Sequence, residues 1–303
     1  LKNAMGKIDA GTMNAVLAAQ YDDSKIINNA PIEITENAKA MYVFSTLWVT
    51  PYGYYSVKHP TIINNADIIN NSSPYVESGI TYGALGLASL SYGSLIQNYG
   101  NIDMNGQNAA AIYNKGTVES KSDHIIINAD KGVVAYGSYG TVSTGSGNNY
   151  ISSVSKVSGN KLEVNGNNGA VLYSKGGNIE LSPLTSGGSL NITANGKDTF
   201  AFYQEAFKSG STTLSGKFTI NGIVNVDLKN GGIGFYYDGN GGTANIPGYF
   251  TNIVDASNGQ LNITADENSY KMVIGRATVN VSDLSNLNVP NVNFIGDSGK
   301  TKI

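Results

Sequence analysis

The sequence repeats itself at irregular intervals, and this feature limits the possible folds more than any other. Each unit contains apolar-x-apolar, then a few Asn, Gly, Asp or Lys residues, then apolar-x-apolar again, often ending in tyrosine. Examples are "IDMNGQNAAAIYNKG" from Ile102 and "LEVNGNNGAVLYSKGG" from Leu162. Such repetition is typical of solenoids, in which each repeat packs only on its neighbours. Unit starts fall at Ile8, Ile32, Ile68, Ile102, Ile125, Leu162, Leu190, Val224, Leu261 and Val279.

The alternation within each unit predicts short β-strands joined by Asn/Gly turns. Strands of this length cannot form an independent sandwich, but they suit the coils of a parallel β-helix. Each strand then pairs with its equivalent in the next coil, about 4.8 Å away. We therefore predict an all-β fold, a right-handed parallel β-helix (β-solenoid) of about ten coils with side loops. Asparagines at equivalent turn positions are expected to form amide ladders.

Two further features refine this prediction. A second signature precedes several units, as "IINNAPI" at Ile26, "IINNADI" at Ile62 and "IQNYGNI" at Ile96. The N-terminal stretch "NAMGKIDAGTMNAVLAAQ" has the composition of a helix, but it matches the Ile102 unit nearly residue for residue. We therefore predict that it forms a first coil instead, because internal repetition outweighs local propensity.

Composition excludes several classes of protein. The net charge is -3, and Arg276 is the only arginine, so the clustered positive charge that binds nucleic acid is missing. There is no cysteine, which excludes a disulfide scaffold and a thiolate metal site. No apolar run is long enough for a transmembrane helix. The first residues contain no initiator methionine or signal peptide, so we expect 1–303 to be one β-helix segment of a longer chain.

The repeat is interrupted between residues 42 and 99, where we expect irregular loop insertions. "YVFSTLWVTPYGYYSVKH", from Tyr42 to His59, holds the only tryptophan, and a second irregular stretch runs from Tyr75 to Tyr99. Insertions in a solenoid emerge as side loops and often bind ligands. Tyr and Trp rings suit sugars and protein hot spots, although aromatic side chains that fill or cap the core remain an alternative. The predicted binding residues are Trp48, Tyr52, Tyr54, Tyr55 and His59.

Tyrosines recur at the ends of the repeat units. A row facing solvent would form an adhesive strip along the rod, whereas an inward row would be a packing ladder. We favour the ladder, because a solenoid repeats its core positions from coil to coil. The residues are Tyr113, Tyr136, Tyr173, Tyr203 and Tyr236.

One segment resembles the start of a calcium-binding loop. In "YYDGNGGTAN", Asp238, Asn240 and Gly242 follow the order D-x-N-x-G. Oxygen ligands at alternate positions suit Ca²⁺, but the glutamate that completes such a loop is missing. A plain turn is the simpler interpretation, and we predict no metal site and no cofactor.

Two enzyme-like motifs meet in the C-terminal "VNFIGDSGKTKI". Gly-Asp-Ser-Gly surrounds the nucleophile of trypsin-like proteases, but His59 and His124 are the only histidines and neither lies in a matching context. Gly-Lys-Thr ends a phosphate-binding loop, but Phe294 occupies the position of its first glycine. We predict a strand at "VNF", a turn at "GDSGK" and no enzymatic activity. A polysaccharide-active β-helix enzyme remains the alternative.

The "INN" signature, the "GQNAAAIYNKGTV" unit and the Asn/Gly-rich, cysteine-free, arginine-poor composition resemble the passengers of type V autotransporters, most closely fusobacterial ones. The resemblance implies an adhesin of the bacterial cell surface with a role in virulence. It further implies export through a C-terminal outer-membrane barrel, the only membrane contact, which this sequence does not include. The expected partner is a cell-surface glycan or protein receptor, with no nucleic acid, and the expected state is a monomer. A spacer rod without its own binding site is a further alternative.

Overall fold

The computed structural model describes most of the chain, and every element that it contains within these residues is a β-strand or a connection between strands. The prediction of an all-β parallel β-helix is therefore confirmed. No helix within the described residues is long and apolar enough to cross a membrane. The described residues are 15–20, 23–35, 38–44, 47–49, 55–57, 59–77, 80–144, 147–210, 212–238, 243–244, 253–275, 278–279, 290–296 and 300–302.

Ten parallel strands, one per coil, form the first large sheet, here called sheet A. We number the coils 1 to 10 after these strands. Each strand pairs in register with its equivalent in the next coil, as the repeat predicts. In order they are β1 (Ala15–Gln20), β4 (Lys39–Phe44), β11 (Leu85–Ser89), β14 (Ala110–Asn114), β17 (Val133–Gly137), β22 (Ala170–Lys175), β25 (Phe200–Glu205), β29 (Ile233–Asp238), β32 (Tyr270–Gly275) and β35 (Lys300–Lys302).

The second large sheet has fifteen strands arranged in two parallel arms. The long strands β28 (Lys217–Lys229) and β31 (Val254–Ala265) run through both arms, and β34 (Val292–Ile295) pairs with β31. Arm B1 contains β2 (Lys25–Asn28), β7 (Thr61–Asn64), β12 (Leu95–Asn98), β15 (Thr117–Lys121), β20 (Val154–Gly159) and β23 (Asn178–Pro183). Arm B2 contains β3 (Ile32–Ile34), β8 (Ile68–Asn70), β13 (Ile102–Met104), β16 (His124–Ile127), β21 (Lys161–Asn165) and β24 (Ser189–Asn195).

Each complete coil therefore runs from sheet A to arm B1 and then to arm B2. The second sequence signature forms arm B1, where Ile26, Ile62 and Ile96 pair in register. Inward side chains from all three strands build one continuous apolar core along the rod. Stacking of equivalent apolar residues extends this core from coil to coil.

Five of the ten predicted unit starts form one ladder in arm B2. Ile32, Ile68, Ile102, Ile125 and Leu162 pair in succession. Beyond Leu162 the register moves by two residues, because its partner is Ile192, while Leu190 pairs with Val224.

The last predicted unit start, Val279, is wrong. Leu261 pairs instead with Val292, because an insertion separates sheet A from the second sheet in this coil. Val279 belongs to a separate two-stranded pair. The first unit start, Ile8, lies outside the described residues.

Both ends of the described chain agree with the sequence interpretation. Residues Ala15–Gln20 form strand β1 rather than a helix. Val292–Ile295 form the predicted strand, and Gly296 follows it with φ of 75°, a left-handed conformation that glycine adopts without strain. The remainder of the predicted turn, residues 297–299, lies outside the described residues.

The predicted amide ladders are confirmed. At the outer end of arm B2, from Asn105 onward, each asparagine side chain donates to an asparagine of the preceding coil, with N–O distances between 2.8 and 3.1 Å. The members are Asn71, Asn105, Asn128, Asn165, Asn195 and Asn230. A second ladder, Asn28–Asn64–Asn98, enters the interior, where it satisfies buried amides.

The tyrosines at the unit ends pack against one another, which confirms a packing ladder, but the prediction that it faces the main core is wrong. Their ring centroids lie 4.4 to 5.1 Å apart in succession. Ile112 belongs to the main core, so its neighbour Tyr113 points to the other face of sheet A. The ladder, together with Ala110, Val133 and Phe200, therefore forms a second buried cluster outside the main core. In coils 3 to 7, sheet A is therefore largely buried on both faces.

Candidate functional site

Most inserted segments leave the rod at the corner between sheet A and arm B1, which we call the insertion corner. Three antiparallel hairpins arise there, from coils 2, 5 and 7. They are β5 (Leu47–Val49) with β6 (Tyr55–Val57), β18 (Tyr139–Thr144) with β19 (Gly147–Ser152), and β26 (Phe207–Ser209) with β27 (Thr212–Leu214).

Two later insertions, in coils 8 and 9, leave from the same corner. They carry β30 (Thr243–Ala244) and β33 (Thr278–Val279), which pair in parallel. The hairpin β9 (Tyr75–Glu77) with β10 (Ile80–Tyr82) is different, because it lies between arm B2 and sheet A. Insertions therefore concentrate along one edge of the rod, the arrangement expected of a binding face.

Three of the five predicted binding residues lie at this corner. Trp48 pairs with Ser56, and Tyr55 pairs with Val49, within the first hairpin. His59 follows this hairpin and is exposed. The other two predicted residues, Tyr52 and Tyr54, lie outside the described residues.

His59 connects the hairpin to the neighbouring coils. Its Nδ1 lies 3.1 Å from the carbonyl oxygen of Gly93, and its backbone N–H donates to Asp23 Oδ1 over 2.9 Å. Beside Gly93, Tyr92 exposes 40% of its surface at the same corner. His59 is therefore exposed, but it also has a structural role in joining the hairpin to the neighbouring coils.

Two hairpins that were not predicted from the sequence, those of coils 5 and 7, pack against each other. We call residues 139–152 and 207–214 together the hairpin arm. The rings of Tyr139 and Phe207 stack with centroids 3.6 Å apart, and Tyr150 lies 5.0 Å from Phe207. Ser209 Oγ also donates to Tyr150 Oη over 3.1 Å. The sequence signal for the first of these hairpins is the change in unit spacing, from 23 residues between Ile102 and Ile125 to 37 residues between Ile125 and Leu162.

Coil 6, between the two hairpins, turns the insertion corner with only Gly176 and Gly177. Gly176 is buried and has φ of 80°. A Cβ at this position would lie 3.0 Å from Leu214 Cβ and 3.1 Å from Phe207 Cβ. The glycine therefore allows the hairpin from coil 7 to pack closely over the corner of coil 6.

We expect Gly176→Ala to destabilise the protein by about 1–2 kcal/mol more than Gly187→Ala, because only the first change crowds the hairpin arm. Gly187 has nearly the same backbone, with φ of 78°, but a Cβ added there would have no other atom within 4 Å. The two variants share the cost of a left-handed alanine, so their difference isolates the contact. Urea unfolding measures both. Equal destabilisation would contradict the packing described for Gly176.

The hairpin arm is almost uncharged. Residues 139–152 contain no Asp, Glu, Lys or Arg, and residues 207–214 contain only Lys208. Burial raises the pKa of Tyr139, with a further contribution from Tyr150, so this hydroxyl stays neutral. The hairpin of coil 5 consists mainly of Tyr, Ser, Gly and Asn. Antibody loops favour the same residue types, because together they combine rigid aromatic area with adaptable hydrogen bonding.

Other candidate sites receive less support from the geometry. Asp238 ends β29 with 3% of its surface exposed, while Asn240 and Gly242 lie outside the described residues. His124 lies on arm B2, with Nε2 3.3 Å from Asp103 and Nδ1 3.5 Å from Asp123, away from His59. Across the described part of the chain, no three His, Cys, Asp or Glu side chains group closely enough to hold a metal ion.

Comparison of the chain with protein-family models, with curated proteins and with solved structures found no match. The resemblance to autotransporter passengers thus rests on the sequence features alone.

Proposed function

We propose that this chain is a non-enzymatic, extracellular segment of a bacterial surface autotransporter, an adhesin that binds a cell-surface glycan or protein receptor through its insertion corner. The observation that carries the proposal is the concentration of inserted hairpins along one edge of a regular rod. A solenoid gains nothing in core packing from such insertions, and the loops on one face of a solenoid often form its binding surface.

The corner also has the chemistry of a recognition surface. The hairpin arm presents hydroxyl, amide and aromatic groups with little charge, so it can approach an uncharged partner surface at a small desolvation cost. Trp48, Tyr55 and His59 lie at the same corner in coil 2. The proposal places them, with Tyr52 and Tyr54, in a second part of the same binding face.

Location and assembly follow from the same proposal. The resemblance implies that a membrane barrel, outside this sequence, anchors the rod to the outer membrane as a monomer. The parallel β-helix suits export, since its ladders form between neighbouring coils and can assemble one coil at a time.

Shortening the hairpin arm tests the proposal. Coil 6 supplies the template, because Ser174 pairs with Gly137 and Gln204, and Asn178 pairs with Val154 and Lys217. Replacing residues 138–153 with Lys-Gly-Gly and 206–216 with Gly-Gly copies this tight corner. We expect the purified segment to bind host or bacterial cells, and the shortened variant to lose most of this binding while it keeps its β-sheet circular dichroism.

Two controls complete the experiment. Leu184→Ser changes an exposed residue at a different corner and is expected to retain binding. Trp48→Ala is expected to weaken binding if the hairpin of coil 2 also contributes. A folded segment that binds no cells would support a spacer rod instead, and full binding by the shortened variant would remove the hairpin arm from the site.

The polysaccharide-active alternative is less well supported. Glycoside hydrolysis requires a carboxylic acid whose pKa is raised, so that it can donate a proton near neutral pH. All the described carboxyl groups with a shifted pKa are shifted downward. They are Glu119, Asp123, Glu163, Asp255 and Asp266. Release of reducing sugars from a polysaccharide would nevertheless favour the enzyme.

A further inference from the structure

A shallow groove lies on the outer face of arm B1, and neither the repeat nor the proposed adhesive corner explains it. It encloses about 210 Å³ and is formed by the strands of coils 4 to 7. All of its lining side chains are polar. The side chains on which the argument depends are Glu119, Lys121, Lys156, Glu180, Ser182 and Asn221.

The register of the strands arranges these side chains in two rows parallel to the rod axis. Glu119, Lys156 and Glu180 pair in succession and form one row. Lys121, Ser158 and Ser182 pair in succession in the next row, where the hydroxyl groups of Ser158 and Ser182 share a hydrogen bond of 2.7 Å, and Asn221 continues this row into β28. Successive members are one strand spacing apart, about 4.8 Å. A chain molecule lying along the rod would therefore meet new polar groups at every coil.

Part of the first row is already satisfied within the protein. Glu119 accepts hydrogen bonds from Gln97 over 3.1 Å and from Lys156 over 3.0 Å. These bonds lower the pKa of Glu119, the Gln97 bond most, and the Glu119 bond raises the pKa of Lys156. The pair is therefore charged at neutral pH.

Three other side chains keep hydrogen-bonding capacity. Glu180 attracts Lys156 and Lys121 attracts Glu119 through their charges, but within the described residues the side chains of Glu180, Lys121 and Asn221 form no hydrogen bond or close ion pair. This is unusual for an asparagine of this rod, because many outward asparagines are joined in ladders. A carboxylate, an ammonium and an amide thus converge on one concave surface with donors and acceptors to spare.

The lining selects the class of ligand. The lining carries two carboxylates and two ammonium groups, so its charges balance and give neither an anion nor a cation a net attraction, while an apolar molecule would leave the polar lining unpaired. A neutral molecule covered with hydroxyl groups can both donate and accept at every position. We propose that this groove binds a neutral oligosaccharide that extends along the rod axis, with Glu180, Lys121 and Asn221 as its principal hydrogen-bonding partners.

This site is independent of the insertion corner. The groove residues lie near the end of each B1 strand, whereas the inserted hairpins precede those strands. A sugar ring spans a length similar to one coil step, so consecutive sugars can meet equivalent groups on consecutive coils. Each contact is weak in water, and a longer oligosaccharide gains affinity by adding contacts to further coils.

Saturation-transfer NMR tests the proposal with the folded segment and four hexasaccharide probes: maltohexaose, cellohexaose, chitohexaose and the acidic hexagalacturonate. We expect at least one neutral probe to bind with a Kd near the millimolar range, and hexagalacturonate to bind more weakly. The double variant Glu180→Ala/Asn221→Ala is expected to lose about tenfold in affinity or more, because it removes hydrogen bonds to the ligand.

Glu267→Ala serves as the matched control, because Glu267 is exposed in a turn far along the chain from the groove. It should bind the probes as the unchanged protein does. Circular dichroism establishes that both variants are folded. The proposal is overturned if no neutral probe binds, if the double variant binds unchanged, or if hexagalacturonate binds as tightly as the neutral probes. Cell binding through the hairpin arm would be unaffected by any of these outcomes.

Discussion

Replacing Phe202 with alanine is expected to lower the free energy of unfolding by about 3–5 kcal/mol. Phe202 is fully buried in the main core. Its ring stacks on Phe235, with centroids 4.6 Å apart, and meets the edge of Phe218 at 5.2 Å. Alanine would leave a cavity bordered by two rings that are fixed by strands on different sheets, so the surroundings can collapse only partly.

Urea unfolding, followed by circular dichroism, measures this effect. Tyr92→Ala is the control, because it removes a ring of similar size from an exposed position. We expect Tyr92→Ala to lower the free energy of unfolding by about 0.5 kcal/mol or less, as is usual for substitutions at the surface. A similar loss for both variants would mean that Phe202 is not packed as described.

The consequence should also be local. Each coil of a solenoid contacts only its neighbours, so damage in coil 7 weakens the interfaces on its two sides first. Native-state hydrogen exchange should therefore show the largest loss of protection in β22, β25 and β29, and a smaller loss in β7. Uniform loss along the rod would indicate that the described coils unfold as one unit.

Sequence alone predicts the coil because the same apolar positions return in every unit. Ile32, Ile68 and Ile102 are recognisable by their spacing, and they form the ladder that the repeat requires. The two-residue change of register at Leu190, by contrast, could not be predicted from the repeat. It follows the connection of residues 184–188 between β23 and β24, which is longer than the connections between arms B1 and B2 in the other coils.

The hairpin arm illustrates why the candidate site was only partly predictable. Aromatic content drew attention to Trp48 and Tyr55, which do lie at the insertion corner. The contact of Tyr139 with Phe207 joins two insertions that are far apart in the sequence. No periodicity connects such residues, because insertions by definition depart from the repeat. Their proximity arises only from the stacking of coils 5 to 7.

The second buried cluster had a sequence signal that the repeat obscured. Segments such as "AAIY", "AVLY" and "FAFY" are apolar at every position, whereas arm B1 alternates. Continuous apolar runs are typical of parallel strands buried on both faces. The tyrosines were correctly predicted to pack, but their place on the other face of sheet A follows from the strand geometry, with Ile112 inward and Tyr113 opposite.

This second cluster leads to an expected loss of stability at alkaline pH. Burial raises the pKa of Tyr136 from 10.0 to about 12, and burial also raises the pKa of Tyr173. Above pH 10 the unfolded chain therefore releases tyrosine protons that the folded protein retains. Because the folded state binds more protons in this window, the free energy of unfolding falls as pH rises from 10 to about 12. For Tyr136 alone, the shift corresponds to about 3 kcal/mol.

Tyr136→Phe tests this origin, since it removes the ionising hydroxyl and keeps the ring in the ladder. We expect the variant to lose about 2 kcal/mol less than the unchanged protein between pH 10 and pH 12, because the full effect of the shift is reached only above pH 12; urea unfolding at each pH measures the difference. It also loses the hydrogen bond between Tyr136 and Ser138, so it should start from a lower stability at neutral pH. Tyr99→Phe, at an exposed position, should follow the unchanged protein. If Tyr136→Phe declines as steeply as Tyr99→Phe, the alkaline loss arises from groups other than the buried ladder, and Tyr136 ionises in the folded state without penalty.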